Sequence, residues 1–85
     1  MNQVIVHDVE ELESFGEFMQ SKREELETLY GELNMATLNQ KNNWQDPQYE
    51  YLRENVEAYC ATCETQLEEL DKSIVYIRAL VNKLK

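Results

Sequence analysis

Apolar residues recur through the first half of the chain at alternating steps of three and four: Leu12, Phe15, Met19, Leu26, Leu29, Leu33 and Ala36, with Lys22 the one polar interruption. Such spacing keeps returning to one side of a 3.6-residue turn and predicts an amphipathic helix. Asp8 followed three residues later by Glu11 fits a capping pair at its start. The helix is read as residues 8–41. Gly16 and Gly31 fall inside it, each about 1 kcal/mol less favourable there than Ala, and they point to close packing or local bends. The second half is more regular. Tyr49, Val56, Cys63, Leu70, Ile77 and Leu84 form one seven-residue column; Cys60, Leu67, Ile74 and Val81 form another beside it, with Leu52, Tyr59 and Leu80 between. A stripe this broad exceeds the two-position seam of a simple coiled coil and implies contact with more than one neighbouring helix.

Between the two patterns lies "NNWQDPQY", residues 42–49, with the single Trp and single Pro of the chain. Asp46 before Pro47 is pushed out of helical geometry, its carboxylate suits the N-cap, and Pro is favoured at the first helical position. The second helix is therefore read as 47–84, after a turn at 42–46. So short a connection gives antiparallel neighbours. Acidic Asp8, Glu10, Glu11 and Glu13 begin the chain, and Arg78, Lys83 and Lys85 end it; antiparallel packing brings these clusters together, and each complements its own helix dipole. The expected fold is an all-α, antiparallel two-helix hairpin forming one domain over 1–85. A hairpin about 50 Å long is too thin to cover its own stripe, so two hairpins are expected to pair as a four-helix bundle, by homodimerisation or with another helical hairpin. The core or dimer-interface set is Leu12, Phe15, Met19, Leu26, Leu29, Leu33, Leu52, Val56, Tyr59, Leu67, Leu70, Ile74, Ile77 and Val81.

Composition narrows the function. At 85 residues and 42% hydrophobic, the chain has the make-up of a small folded domain near the lower limit for a self-sufficient core. Its net charge of −9 argues against nucleic acid and disfavours anionic membranes. No run of about 18 apolar residues spans a bilayer. The start "MNQVIVHDVE" lacks a basic leader and a long apolar stretch, so the expectation is a cytoplasmic protein, or one exported without a cleavable signal peptide. Val4, Ile5 and Val6 are read as folding against the bundle end or adding a strand to a partner's sheet.

The two long helices and the sequence Trp44-Gln45-Asp46, followed by Tyr49, Tyr51 and Leu52, resemble the Trp-x-Gly (WXG-type) helical-hairpin family, the early-secreted-antigen-like small proteins of bacterial type VII secretion. Asp46 stands where that family usually has Gly. The Tyr-x-x-x-Asp/Glu export pattern is absent from the second helix: the residues four after Tyr49, Tyr51, Tyr59 and Tyr76 are Arg53, Asn55, Cys63 and Leu80. The resemblance implies a non-enzymatic, dimeric secreted or accessory partner protein. It also implies that Trp44, Tyr49 and Tyr51 dock on a partner, such as a secretion ATPase or a toxin. A turn anchor packed over the hairpin end is the other reading of Trp44.

Two alternatives stand beside this one: a cytosolic coiled-coil adaptor or chaperone subunit unrelated to secretion, and a metal-binding or redox bundle through Cys60 and Cys63. A Cys-x-x-Cys pair can bind metal or cycle between thiol and disulfide. This pair lies well inside a helix, in line with Val56, Leu67 and Leu70, where small core residues belong. His7 has no indicated nucleophile beside it, and the Glu residues at 24, 25, 27, 68 and 69 lack the Glu-x-x-His companions of a di-iron bundle. No catalytic set and no cofactor are expected.

Overall fold

A computed structural model describes residues 3–85 of the chain. Two helices, α1 (Val9–Asn39) and α2 (Pro47–Leu84), pack against each other as an antiparallel hairpin 57 Å long. Asp8 caps α1: its Oδ1 accepts the backbone N–H of Glu11 at 3.0 Å, satisfying one of the amides a helix start leaves open. The first helix stops at Asn39 rather than continuing to residue 41. The amides of Gln40 and Lys41 turn back to the carbonyls of Thr37 and Leu38, and those of Asn43 and Trp44 both reach Gln40, so the chain tightens out of α geometry before the Trp. Asp46, with Pro47 after it, opens α2 by accepting from the Gln48 amide at 2.8 Å.

The buried line of α2 runs Tyr49, Val56, Cys63, then Leu67, Ile74 and Val81. It begins on one seven-residue column and finishes on the other, because a straight α-helix drifts ~20° per heptad and the facing column must change along 38 residues. On α1 the facing column is different in kind: Val9, Gly16, Arg23, Tyr30 and Thr37, of which Gly16 and Thr37 are buried and the others half-buried. Gly16 permits a close approach of the two helices, against Ile77.

Directional contacts then set the register. Arg23 donates through Nε and Nη2 to the two carboxylate oxygens of Asp71, at 2.8 and 3.2 Å, and through Nη1 to Glu27 at 3.0 Å. The hydroxyl of buried Tyr49 donates to the Thr37 carbonyl at 2.8 Å. At the open end Lys85 meets Glu13 at 2.7 Å and Arg78 donates to Gln20 at 3.3 Å, joining the basic C-terminal and acidic N-terminal clusters. Among the described residues six apolar side chains are buried. That is a thin seam for a chain of this size.

Candidate functional site

Leaving the seam so thin places most of the hydrophobic pattern elsewhere. Phe15, Phe18, Leu26, Leu29 and Leu33 of α1 are exposed, Leu29 by 60%, while Leu12 and Met19 are half-buried. At about 100° per residue, this stripe lies roughly a quarter to a third of a turn from the Gly16–Arg23–Tyr30–Thr37 column that faces α2. On α2 a second stripe of Leu52, Tyr59, Leu70, Ile77, Leu80 and Leu84 is displaced from the seam in the same rotational sense. In antiparallel helices, equal senses of rotation emerge on the same side of the pair. The two stripes therefore lie on one face of the hairpin, interspersed on α2 with the uncharged polar residues Asn55, Thr62, Gln66 and Ser73.

Charge is depleted there. Of the 25 charged side chains in the sequence, Asp8, Glu11, Lys22 and Glu69 project to this face on the same projection; the others lie at its edges, in the seam or on the reverse. Lys22 sits near the middle of α1, paired with Glu25 at 3.1 Å, its ammonium 5.4 Å from the centre of the Phe18 ring. Depletion of charge with enrichment of aromatic and aliphatic groups marks the core of a protein interface. At the open end, Ile5 and Val6 share a surface cavity with Leu12 and Phe15, and Val4 shares another with Tyr76, Leu80 and Leu84. Residues 4–6 thus lie against the open end of the hairpin, and no strand forms among the described residues.

The predicted interface set divides accordingly. Val56, Leu67, Ile74 and Val81 belong to the seam; Leu12, Met19, Leu70 and Ile77 sit at its margin; Phe15, Leu26, Leu29, Leu33, Leu52 and Tyr59 lie on the uncovered face. Arg23, Tyr30, Thr37 and Asp71, which hold the seam, escaped the hydrophobic pattern. The heptad column 9, 16, 23, 30, 37 was the signal available for the first three.

The aromatic cluster at the turn is smaller than the resemblance implies. Tyr49 is buried, 1% exposed, with its hydroxyl committed to Thr37, and is removed from any docking patch. Trp44 packs on it at a tilt, ring centres 5.6 Å apart, and donates its indole N–H to Asp46 Oδ2 at 3.2 Å. It remains 36% exposed, and Tyr51 is 63% exposed. Asp46 therefore holds the turn twice, capping α2 through one oxygen and fixing the indole through the other. Its backbone is extended, and no described residue has a positive φ, so nothing in this turn requires the glycine usual at that position.

Cys60 and Cys63 both turn into the hairpin. The Cys60 thiol points to the Tyr30 carbonyl at 3.6 Å, while Cys63 is buried beneath α1. Burial, then the neighbouring Cys60, pushes the Cys63 thiol above its ordinary value, opposite to the shift that activates a nucleophile or ligand. Among the described residues no group of three or more His, Cys, Asp or Glu is placed to hold a metal ion, and no helix is long and apolar enough to cross a membrane. No protein-family model, curated protein or solved structure matches the chain.

Proposed function

We propose that the chain is a non-enzymatic protein-interaction module. It works by laying its one-sided apolar face against another helical hairpin, as a partner or accessory protein of a secretion system of the type VII kind. The observation that carries this reading is the charge-poor face of Phe15, Leu26, Leu29, Leu33, Leu52 and Tyr59, left uncovered by the hairpin's own packing. Burying a fully exposed Leu or Phe gains about 1.5–3 kcal/mol, so several such groups lining one face supply an ample driving force for association. The hairpin and its Trp44–Asp46 turn support the Trp-x-Gly resemblance. Trp44 and Tyr51 offer a smaller second contact at the turn end, suited to a large partner such as a secretion ATPase.

The test compares affinity-tagged wild type with Leu29→Glu, each purified from the native host. Leu29 lies outside the seam, so the substitution leaves the hairpin's own stability within about 0.5 kcal/mol. A helical-hairpin protein or a secretion ATPase recovered with wild type and lost with Leu29→Glu supports the reading. Identical recoveries with both baits refute it. A partner unrelated to secretion, lost in the same way, would instead assign the chain to the adaptors.

A further inference from the structure

We infer that Cys60 and Cys63 form a two-coordinate site for a soft, monovalent closed-shell cation, copper(I), held between two thiolates on the inner side of α2. The site lies apart from the interaction face. On the helical projection the cavity it borders opens on the opposite side of the hairpin, so the two readings stand or fall separately.

That cavity, about 210 Å³, lies between Tyr30 and Gly31 of α1 and Cys60 and Cys63 of α2, with Glu27 and Glu64 also lining it. Both thiols turn toward α1: Cys60 is half-buried with its Sγ 3.6 Å from the Tyr30 carbonyl, and Cys63 is buried. Gly31 has no packing reason to be glycine, because a Cβ there meets nothing within 4 Å. Inside a helix it nevertheless costs about 1 kcal/mol relative to Ala. Its place in the wall of this cavity supplies a reason, since a longer side chain there would stand in the way to the thiols.

Helix geometry then separates the two things a Cys-x-x-Cys pair does. Helix α2 runs unbroken through both residues, which holds Cβ atoms three positions apart at about 5–6 Å. A disulfide requires Cβ atoms about 3.5–4.5 Å apart and sulfurs about 2.05 Å apart. The pair closes directly only by breaking helical geometry beside the seam. A cation between the sulfurs lengthens the bridge. Two metal–thiolate bonds of about 2.3 Å, arranged in a line, set the sulfurs about 4.6 Å apart, a span the undistorted helix accommodates.

Coordination number selects the ion. Zinc takes four ligands in a tetrahedron. Here Glu27 is engaged by Arg23 at 3.0 Å, and among the described residues no third His, Cys, Asp or Glu is placed to hold a metal with the pair. A two-coordinate ion needs none. Soft thiolate donors favour copper(I), and because burial holds the proton on Cys63, only a cation of high thiolate affinity displaces it. Binding releases both thiol protons to solvent. It leaves a complex with a single negative charge beside Arg23, whose own charge acts on Cys63.

The test titrates copper(I) into the reduced full chain without oxygen, against the chromogenic chelator bicinchoninate. Wild type is expected to take one copper per chain, with X-ray absorption showing two sulfur neighbours and no oxygen. Cys60→Ala and Cys63→Ala each weaken binding at least about a hundred-fold. Thiol number alone does not restore it. The double variant Thr62→Cys/Cys63→Ala keeps two thiols but places the second about 200° round the helix from Cys60, and it is expected to bind as weakly as the single variants. Circular dichroism checks that every variant stays helical. Wild-type affinity in the double variant, one copper shared between two chains, or copper with oxygen neighbours overturns the inference. So does a wild type that yields its copper as readily as the single variants, or one that forms the Cys60–Cys63 disulfide on mild oxidation with its helix content unchanged.

Discussion

Replacing Gly16 by Ala adds one methyl group at a tight point of the seam. A Cβ built there meets Cγ2 of Ile77 at 3.0 Å and its Cβ at 3.9 Å, the first well inside the 3.5–4.0 Å optimum for carbon pairs. Ile77 cannot swing away, because a β-branched side chain in a helix holds essentially one χ1 rotamer. The helices must instead part by a few tenths of an ångström, and overpacking of that kind costs about 1–3 kcal/mol. Against it stands about 1 kcal/mol of improved helix propensity. The net expectation runs from neutral to about 2 kcal/mol destabilising. Gly31 supplies the control: it lies in the same helix, and a Cβ there meets nothing within 4 Å. Gly31→Ala keeps the propensity gain alone, which for a domain of this size raises Tm by about 4–8 °C. Thermal melts followed by circular dichroism at matched concentration should place Gly31→Ala above wild type and Gly16→Ala at or below it. In a Gly16→Ala/Ile77→Ala double variant the cost should fall short of the sum of the singles, since the clashing methyl is gone. If Gly16→Ala raised Tm as much as Gly31→Ala, the close approach of the helices at this level would be wrong.

Three further outcomes follow from the turn and the cysteines. Tyr49→Phe should lower stability by about 1 kcal/mol, seen as a lower urea midpoint with an unchanged slope. The loss stays at the ordinary net value of a hydrogen bond because the Thr37 carbonyl keeps its bond from the Gln40 amide at 3.1 Å. Asp46→Ala should cost about 1 kcal/mol as a lost N-cap, and Asp46→Gly a few tenths, while both shift Trp44 emission by removing the indole's acceptor; equal destabilisation by the two would argue against capping. For Cys63, burial holds the folded thiol above its ordinary value of 9.0, so the unfolded chain releases its proton first. Its contribution is present below pH 9 and is lost as pH rises through the folded value. Cys63→Ala should therefore flatten the alkaline fall in stability, and in native wild type a thiol reagent should modify Cys60 well before Cys63.

Both helices and the break between them were legible in the sequence, since Asp8, Asp46 and Pro47 act through local backbone chemistry that needs no tertiary partner. The broad stripe of α2 was legible as well, and part of it does line the seam with α1. The side of α1 that would meet α2 was not. Hydrophobic period reveals which residues share a face, but not what that face will touch, and the close approach selected Gly16, Arg23, Tyr30 and Thr37 over the greasier Phe15–Leu33 stripe. The departure from Gly at position 46 was readable in principle, because an extended backbone with a capping carboxylate needs no glycine. The burial of Tyr49 was hidden, because its hydroxyl depends on a carbonyl 12 positions earlier that only the folded hairpin delivers.

The guanidinium–carboxylate clasp between Arg23 and Asp71 makes the hairpin behave like a toothed rack rather than two oiled rods. Sliding one helix by a turn, about 5.4 Å, would strand that clasp and the Tyr49 hydroxyl together, with few apolar contacts to compensate. The chain therefore presents its outward stripe in a single alignment before anything arrives to meet it. On the proposed interaction reading, a partner would not spend its own contacts on straightening the surface it lands on.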